Sequence, residues 1–419
     1  MKQITVAIAG LGSRGLDSYA PYQDLAPDEM KIVAVADILP DRVARAAARY
    51  QVPPENCFRS AEEMFEHDRL ADAAFICTLD RLHYREAKAA LLKGYDLLLE
   101  KPVSPDMDEC RELAALAQKL GRKVIVCHVL RYTVFFRELK RLLSEGAIGD
   151  MVSVQAIEKV CYWHQAHSFV RGNWRNSRET SPMFLQKCCH DMDILLWLSG
   201  RHCEAVSSFG SLTYFRPENA PEGAAERCLD CPHRDACLYS APKYYLGHFD
   251  AGETGWPLNV VCQEPTRDKL LAALASGPYG RCVYRCDNDV VDHQVVNLRL
   301  EGDVTVSFTM CAFTAQGGRE IRIMGTRGDL YGDMDARRIT VHPFGGETRV
   351  IDLSAAVADD KGHGGGDEGI VRDLLTLLRG EGGDMTRLTT LSRSVESHLV
   401  CDAAETSRLS GGQVVPVRL

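Results

Sequence analysis

Across the first 127 residues, short apolar runs alternate with stretches of helical length, and nothing else in the chain constrains its fold as tightly. The runs are Ile4–Ala9, Ile32–Ala36, Ala73–Cys77, Asp96–Leu99 and Lys123–Cys127, with Pro40–Tyr50, Tyr84–Lys93 and Asp106–Leu120 between them. Strands joined by single helices make right-handed crossovers and therefore a parallel sheet. The expectation is an α/β fold with an N-terminal Rossmann sheet over residues 1–127. Gly10-Leu11-Gly12-Ser13-Arg14-Gly15 follows the first run and opens a helical pattern. That spacing permits a tight turn and lets backbone amides at a helix N-terminus approach a pyrophosphate. Asp37 closes the second run, where a carboxylate would accept hydrogen bonds from the ribose of NAD and repel a 2′-phosphate. NAD is thus the expected cofactor, and Arg42 is the one nearby residue that would favour NADP.

After Val129 the pattern changes. Helical periodicity at Val134–Ser144 and Met183–Leu198 flanks a strand at Met151–Val160. Period-two alternation then recurs at Val291–Leu300, Val304–Cys311, Arg319–Met324, Ile339–His342 and Thr348–Leu353, joined by turns such as Glu301-Gly302-Asp303. This reads as an antiparallel meander. Asp367–Leu378 and Leu391–Arg408 close the chain as helices, with Gly362-His363-Gly364-Gly365-Gly366 as a glycine-dense loop ahead of them. The expected second domain is residues 128–419, an α/β unit with an open, mainly antiparallel sheet and a cysteine-rich insertion at about 225–286. With 419 residues and a net charge of −9, two domains are expected and a nucleic-acid partner is not. No apolar run approaches the roughly 18 residues of a membrane span, so the expected location is the cytoplasm.

Leu99-Glu100-Lys101-Pro102 after the fourth run, taken with the glycine loop, Asp37 and His190-Asp191-Met192-Asp193, resembles the glucose–fructose oxidoreductase/inositol dehydrogenase/rhizopine-catabolism (Gfo/Idh/MocA) family. Thr78 and His83 match that family's loop after the third run, and Arg131 its arginine after the fifth. The resemblance implies a homo-oligomer, dimer or tetramer, that acts on sugars, cyclitols or their derivatives. It also implies that Lys101 lies beside the nicotinamide, with Glu100 tuning it. A desolvated lysine can serve as the base that takes a hydroxyl proton while hydride leaves the carbon. The family's helix pattern, Asp-x-Gly-x-His-x-x-Asp, is met only at its last two positions, His190 and Asp193. Gln186 and Cys188 replace the aspartate and glycine. Glutamine cannot act as a base, so acid–base work is expected at Lys101, His190 or Lys187, with Asp193 orienting His190. The departure also keeps a second enzyme class in view: a glycoside hydrolase that uses bound NAD for transient oxidation at C3, with elimination and no net redox change.

The segment from Tyr162 to Arg175 is dense in aromatic and hydrogen-bonding side chains. Trp163, His164, His167, Arg171 and Trp174 are therefore substrate-contact candidates, together with Arg131, Gln186, Asp193 and His293. Cys228-x2-Cys231-x5-Cys237 has metal-ligand spacing, with Cys282 as the fourth ligand and Cys286 or His233 as alternatives. Zinc is the expected metal and a [4Fe–4S] cluster the alternative.

Overall fold

The computed structural model describes residues 2–356, 362–382 and 386–419, with side chains not described at 362–364. Six short strands, β1 (Ile4–Ala9), β2 (Met30–Ala36), β3 (Cys57–Phe58), β4 (Ala73–Ile76), β5 (Asp96–Leu99) and β6 (Val124–Val126), form a sheet of order β3-β2-β1-β4-β5-β6. Every pair is parallel. The strands are near-continuously apolar because helices cover both faces. α1 (Pro40–Tyr50), α2 (Asp80–Leu92) and α3 (Met107–Leu120) provide crossovers. α3 illustrates how locally these are specified. Asp106 accepts from the amides of Asp108 and Glu109 at its start, and Gly121 ends it with a φ of 63°. The strand order reverses between β1 and β4, the point at which sheets of this order leave a crevice at the carboxyl ends of their strands.

After α4 (Val134–Ser144), β7 (Met151–Lys159) enters a second sheet, and α5 (Met183–Ser199) packs beneath it. β8 (Cys203–Ser211) precedes an insertion carrying α6 (Ala241–Asp250) and α7 (Arg267–Ser276). β9 (His293–Leu300), β10 (Val304–Cys311), β11 (Gly318–Gly325), β12 (Gly328–Asp333), β13 (Arg338–Pro343), β14 (Arg349–Asp352) and β15 (Val415–Pro416) complete the sheet in the order β14-β13-β12-β11-β7-β10-β9-β8-β15. The expected meander needs one correction. β7 is inserted between β10 and β11 and runs parallel to β10, whereas its pairing with β11 is antiparallel. Period-two alternation reports which face is buried, not which strand lies alongside.

α8 (Gly362–Leu378) and α9 (Leu391–Leu409) close the chain. The helix thus begins within the stretch read as a glycine-dense loop; the His363 side chain lies outside the described residues. Both helices return to the first sheet. Ile370, Val371, Leu374 and Leu375 share an apolar cluster with Ile8, Leu16, Phe75 and Ile125. Val126 N donates to Thr389 O at 2.8 Å. Among the described residues no helix is long and apolar enough to cross a membrane.

Candidate active site

The glycine loop leaves β1 at the crevice. Gly10 has a φ of +89°, and a Cβ there would lie 2.5 Å from the Cys77 carbonyl. A Cβ on Gly15 would strike the Gly10 oxygen. Both glycines are required by the fold's own packing. Gly12 is not: the nearest atom to a Cβ there is Arg42 Nη1, 3.7 Å away. Its missing side chain leaves space for a ligand. Asp37, buried at the end of β2, accepts from Leu11 N at 2.7 Å and Leu39 N at 2.9 Å, with Arg42 Nη1 3.5 Å away. The carboxylate thereby ties the loop to the second strand. These residues fit a dinucleotide: an open cradle at Gly12 and Ser13, and an anchored acceptor beside it.

Arg14 turns inward, contrary to the expectation that it faces cofactor. Its guanidinium pairs with Glu100 at 2.7 Å and Asp367 at 2.6 Å, and it also donates to Tyr19. Burial opposes the charge on Glu100, but Arg14 and Lys101 outweigh it and hold the carboxyl below its ordinary range. Glu100 is therefore part of an internal network. His83 is a staple: its ring nitrogens face Pro102 O at 2.7 Å and Thr78 O at 3.0 Å, joining the loop after β4 to the Lys101–Pro102 turn. Thr78 donates to Glu86, whose carboxyl burial pushes up to about 7.

Lys101 follows β5 at the mouth of the crevice. Its Nζ donates to Gln186 O at 2.7 Å and Gln186 Oε1 at 3.3 Å. No carboxylate pairs with that ammonium among the described residues. One turn along α5 from Gln186, the His190 ring meets His128 edge-on at 5.7 Å, and His128 meets His398 at 5.8 Å. Burial pushes His128 down to about 4 and His398 to about 3, so both rings are neutral. His398 Nε2 accepts from Val103 N at 2.9 Å, two residues beyond Lys101.

Several sequence assignments need correction. Asp193, expected to orient His190, engages Arg131 through both oxygens, at 2.6 and 2.7 Å. Both side chains are buried and are spent on each other. Lys187, a candidate base, is ion-paired with Glu158 at 3.0 Å; Glu158 also pairs with Arg319 at 2.8 Å, and Arg319 with Asp191 at 2.7 Å. Arg171 and His167 point into the insertion. Arg171 donates to Arg281 O and Tyr239 O, and His167 bonds Tyr245 Oη and stacks on Tyr279. Trp174 packs on Phe169, and His293 bonds Asp292 at the start of β9. His164 lies within electrostatic reach of Lys101 and Lys187. Burial pushes its imidazole well below its ordinary value, with Lys187, His167, Arg319 and Lys101 adding positive charge around it. Trp163, Trp256 and Phe169 surround its ring at 5.1 to 5.9 Å.

Cys228, Cys231, Cys237 and Cys282 line one small cavity. Among the described residues, however, no group of three His, Cys, Asp or Glu side chains is set out to hold a metal. The alternatives for the fourth ligand are otherwise occupied. His233 Nε2 faces Glu222 O at 2.7 Å, and Cys286 Sγ donates to Cys282 O at 3.3 Å. A separate cavity of about 1030 Å³, lined by Arg137, Lys140, Trp197, Arg201 and Arg393, includes neither Lys101 nor His190.

Sequence reasoning missed Glu158, Arg319, His128, His398, Trp256 and Asp367. Only the single acidic position in an alternating strand, Glu158, carried a usable signal. The others join the site from far along the chain.

Two family models match. Residues 4–128 fit "Oxidoreductase family, NAD-binding Rossmann fold", and residues 140–417 fit "Oxidoreductase family, C-terminal alpha/beta domain". A putative oxidoreductase, YteT, of Bacillus subtilis is 23% identical over 397 residues, covering 88% of each chain. Inositol 2-dehydrogenase of Corynebacterium glutamicum is 24% identical over 49% of this chain and 57% of its own. Among solved structures, an inositol dehydrogenase homolog from Azotobacter vinelandii complexed with NAD+ superposes with a TM-score of 0.70 at 16% identity, covering 99% of this chain and 97% of that one. The WlbA dehydrogenase of Chromobacterium violaceum, in complex with NADH and UDP-GlcNAcA, gives 0.69 at 17% identity, covering 100% and 97%. At these identities the superpositions speak for the fold.

Proposed function

The chain belongs to the Gfo/Idh/MocA family of NAD-binding oxidoreductases, and we propose that it oxidises a secondary alcohol of a sugar, cyclitol or sugar derivative. The observation that carries the reading is Lys101. It is held at the carboxyl edge of the parallel sheet beside the glycine loop, with its ammonium bonded only to Gln186 among the described residues.

NAD, when bound, supplies the hydride acceptor. Gly12 and Ser13 would hold its pyrophosphate, and Asp37 would accept from the ribose. Lys101 bonds the substrate hydroxyl and, as a free amine, takes its proton when hydride leaves the same carbon. Gln186 holds Nζ in place without adding negative charge. His190 meets a neighbouring hydroxyl, and Trp163, His164 and Trp256 present an aromatic wall to the sugar's C–H face. The homo-oligomer expected of the family would use the open face of the second sheet, where the cross-strand partners Phe209 and Val295 are exposed.

Gln186 favours one alternative. With no carboxylate opposite Lys101, an enzyme that oxidises C3 transiently and then eliminates the glycosidic substituent would take the C3 hydroxyl proton with Lys101 and the acidified C2 proton with His190, one turn along the helix from Gln186. Incubation with NAD and a panel of cyclitols, sugars and glycosides distinguishes the two. A dehydrogenase accumulates NADH stoichiometrically with ketone. Aglycone released over many turnovers, without net NADH and with solvent exchange of the C2 proton, would replace the dehydrogenase reading. Neither signal with any substrate would remove both.

A further inference from the structure

The insertion between β8 and β9 has little core of its own. Its apolar residues fall into two small clusters, one around Phe215, Val283 and Tyr284 and the other around Tyr245, Leu258 and Leu270. Something besides apolar burial has to fix a segment of this size. The four cysteines come from two strands of chain that meet. Arg227 and Arg281 form an antiparallel bridge, and Cys282 N donates to Glu226 O at 2.9 Å, which sets Cys228 beside Cys282. The backbone then curls back on itself through Cys231 N to Cys228 O at 3.3 Å and Cys237 N to His233 O at 2.8 Å. All four side chains line one cavity of about 20 Å³, room for a single ion. None of them is in a disulfide.

A second observation is independent of the cysteine spacing. Arg171 is only 3% exposed, and its guanidinium finds two carbonyl oxygens and one sulfur: Arg281 O and Tyr239 O, each at 2.7 Å, and Cys228 Sγ at 3.4 Å. No carboxylate pairs with it among the described residues. A buried cation without a counter-charge is strongly disfavoured, so the negative charge has to come from sulfur. Neutral thiols do not provide it. Four thiolates on a divalent cation do, as a unit of net charge −2.

We propose that Cys228, Cys231, Cys237 and Cys282 bind one zinc ion as a structural tetrathiolate, with Arg171 as its buried counter-ion. Each thiol releases its proton to solvent as its sulfur takes the ion. The four cysteines line the same cavity without being set at ligand distances, and a χ1 change, which moves a sulfur by roughly 2–3 Å, would be needed to close the shell on an ion. Four protein ligands leave no open position, so the ion is structural. Arg171 ends the helical segment Gln165–Arg171, which begins directly after His164. The centre therefore fastens the insertion to the segment that forms the substrate wall.

The test is elemental analysis of the full chain purified without added metal, paired with titration of its thiols by an organomercurial in the presence of a zinc-binding dye. The expected result is about one zinc per chain, released as about four thiols react. Cys231→Ser should cut the zinc content at least tenfold, while Cys286→Ser and Cys262→Ser should retain it. Arg171→Met should release zinc to a chelator at least tenfold faster than the native chain, and Arg171→Lys should restore part of the difference. If the Cys231 variant does not fold, the titration of the native chain still decides. Iron with acid-labile sulfide, disulfides among the four cysteines, or free thiols without metal would each overturn the proposal.

Discussion

If Asp37 reads the adenosine ribose as proposed, it sets which dinucleotide is accepted, and its geometry lets the preference be sized. Its two oxygens take the amides of Leu11 and Leu39, and Arg42 Nη1 stands 3.5 Å away, on a side chain 28% exposed. A 2′-phosphate on the adenosine ribose would lie roughly 5 Å from the carboxylate, where like charges repel by about 3 kcal/mol per unit pair at an effective dielectric near 20. Arg42 attracts the same phosphate over a similar distance and offsets most of that repulsion. The balance left in favour of NAD is on the order of 1–2 kcal/mol, or about 5- to 30-fold in Kd. Fluorescence or calorimetric titration of both dinucleotides measures it directly. Asp37→Ala should bring the two affinities within a few-fold or invert them, because Arg42 remains, whereas Arg42→Ala should widen the preference for NAD. The alanine also removes two charge-assisted bonds from the loop, worth roughly 1.5–3 kcal/mol each. Thermal melts of the cofactor-free protein separate that loss from a loss of recognition. Native protein that binds NADP as tightly as NAD, or a ratio unmoved by Asp37→Ala, would refute this role for the carboxylate.

Lys101→Met should reduce turnover about 10²–10⁴-fold with little change in NAD affinity; near-normal rates in steady-state assays would displace the catalytic centre from β5. Asp193→Asn leaves Arg131 buried without its counter-charge and should destabilise the fold by about 3–5 kcal/mol in urea melts, while the apolar pair Arg131→Met/Asp193→Leu should recover most of it. If the single and double variants are equally unstable, the ion pair is not what matters there. Glu86, with a folded pKa of about 7 against an ordinary 4.5, keeps its proton longer in the folded state. Its stabilisation is complete below pH 4.5 and is lost as pH rises through 7. Glu86→Gln should therefore be more stable than the native chain at pH 8, by on the order of 2–3 kcal/mol, with the gap closing towards pH 5. A pH-independent difference would contradict this assignment.

The parallel sheet was legible because its signals are local: apolar runs, stretches of helical length between them, and the Gly10–Gly15 turn. Lys101 and Gln186 were legible for the same reason, each lying in a short motif. The departure at Gln186 proved informative, since its side chain and carbonyl both meet Lys101. What sequence could not give was which polar groups neutralise one another. Asp193 stands three residues from His190, on the same helical face, yet it binds Arg131 from the turn after β6. Lys187 looked like a spare base until the fold brought Glu158 to it. Arg171 and His167 looked like sugar contacts because their segment alternates aromatic and polar residues. Only the placement of α6 and of Tyr279 shows them turned the other way. Pairings of this kind depend on where β7, β11 and the insertion lie in space, and a strand's period carries no record of its neighbours.

The return of the last two helices to the first sheet bears on how the chain is made. Asp367 neutralises Arg14 in the glycine turn, Thr389 accepts from Val126 at the sheet's edge, and His398 receives the amide of Val103 beside Lys101. These bonds span most of the polypeptide, so closing them carries a large loop-entropy cost during folding. A nascent chain emerging from the ribosome can pair β1 to β6 early. Until the segment from Asp367 to His398 is in place, Arg14 has only Glu100 of its two carboxylate partners and the Val103 amide lacks its acceptor. The glycine turn and the Lys101 turn thus lie far ahead of Asp367 and His398 in the chain and are among the last parts of the fold to be finished.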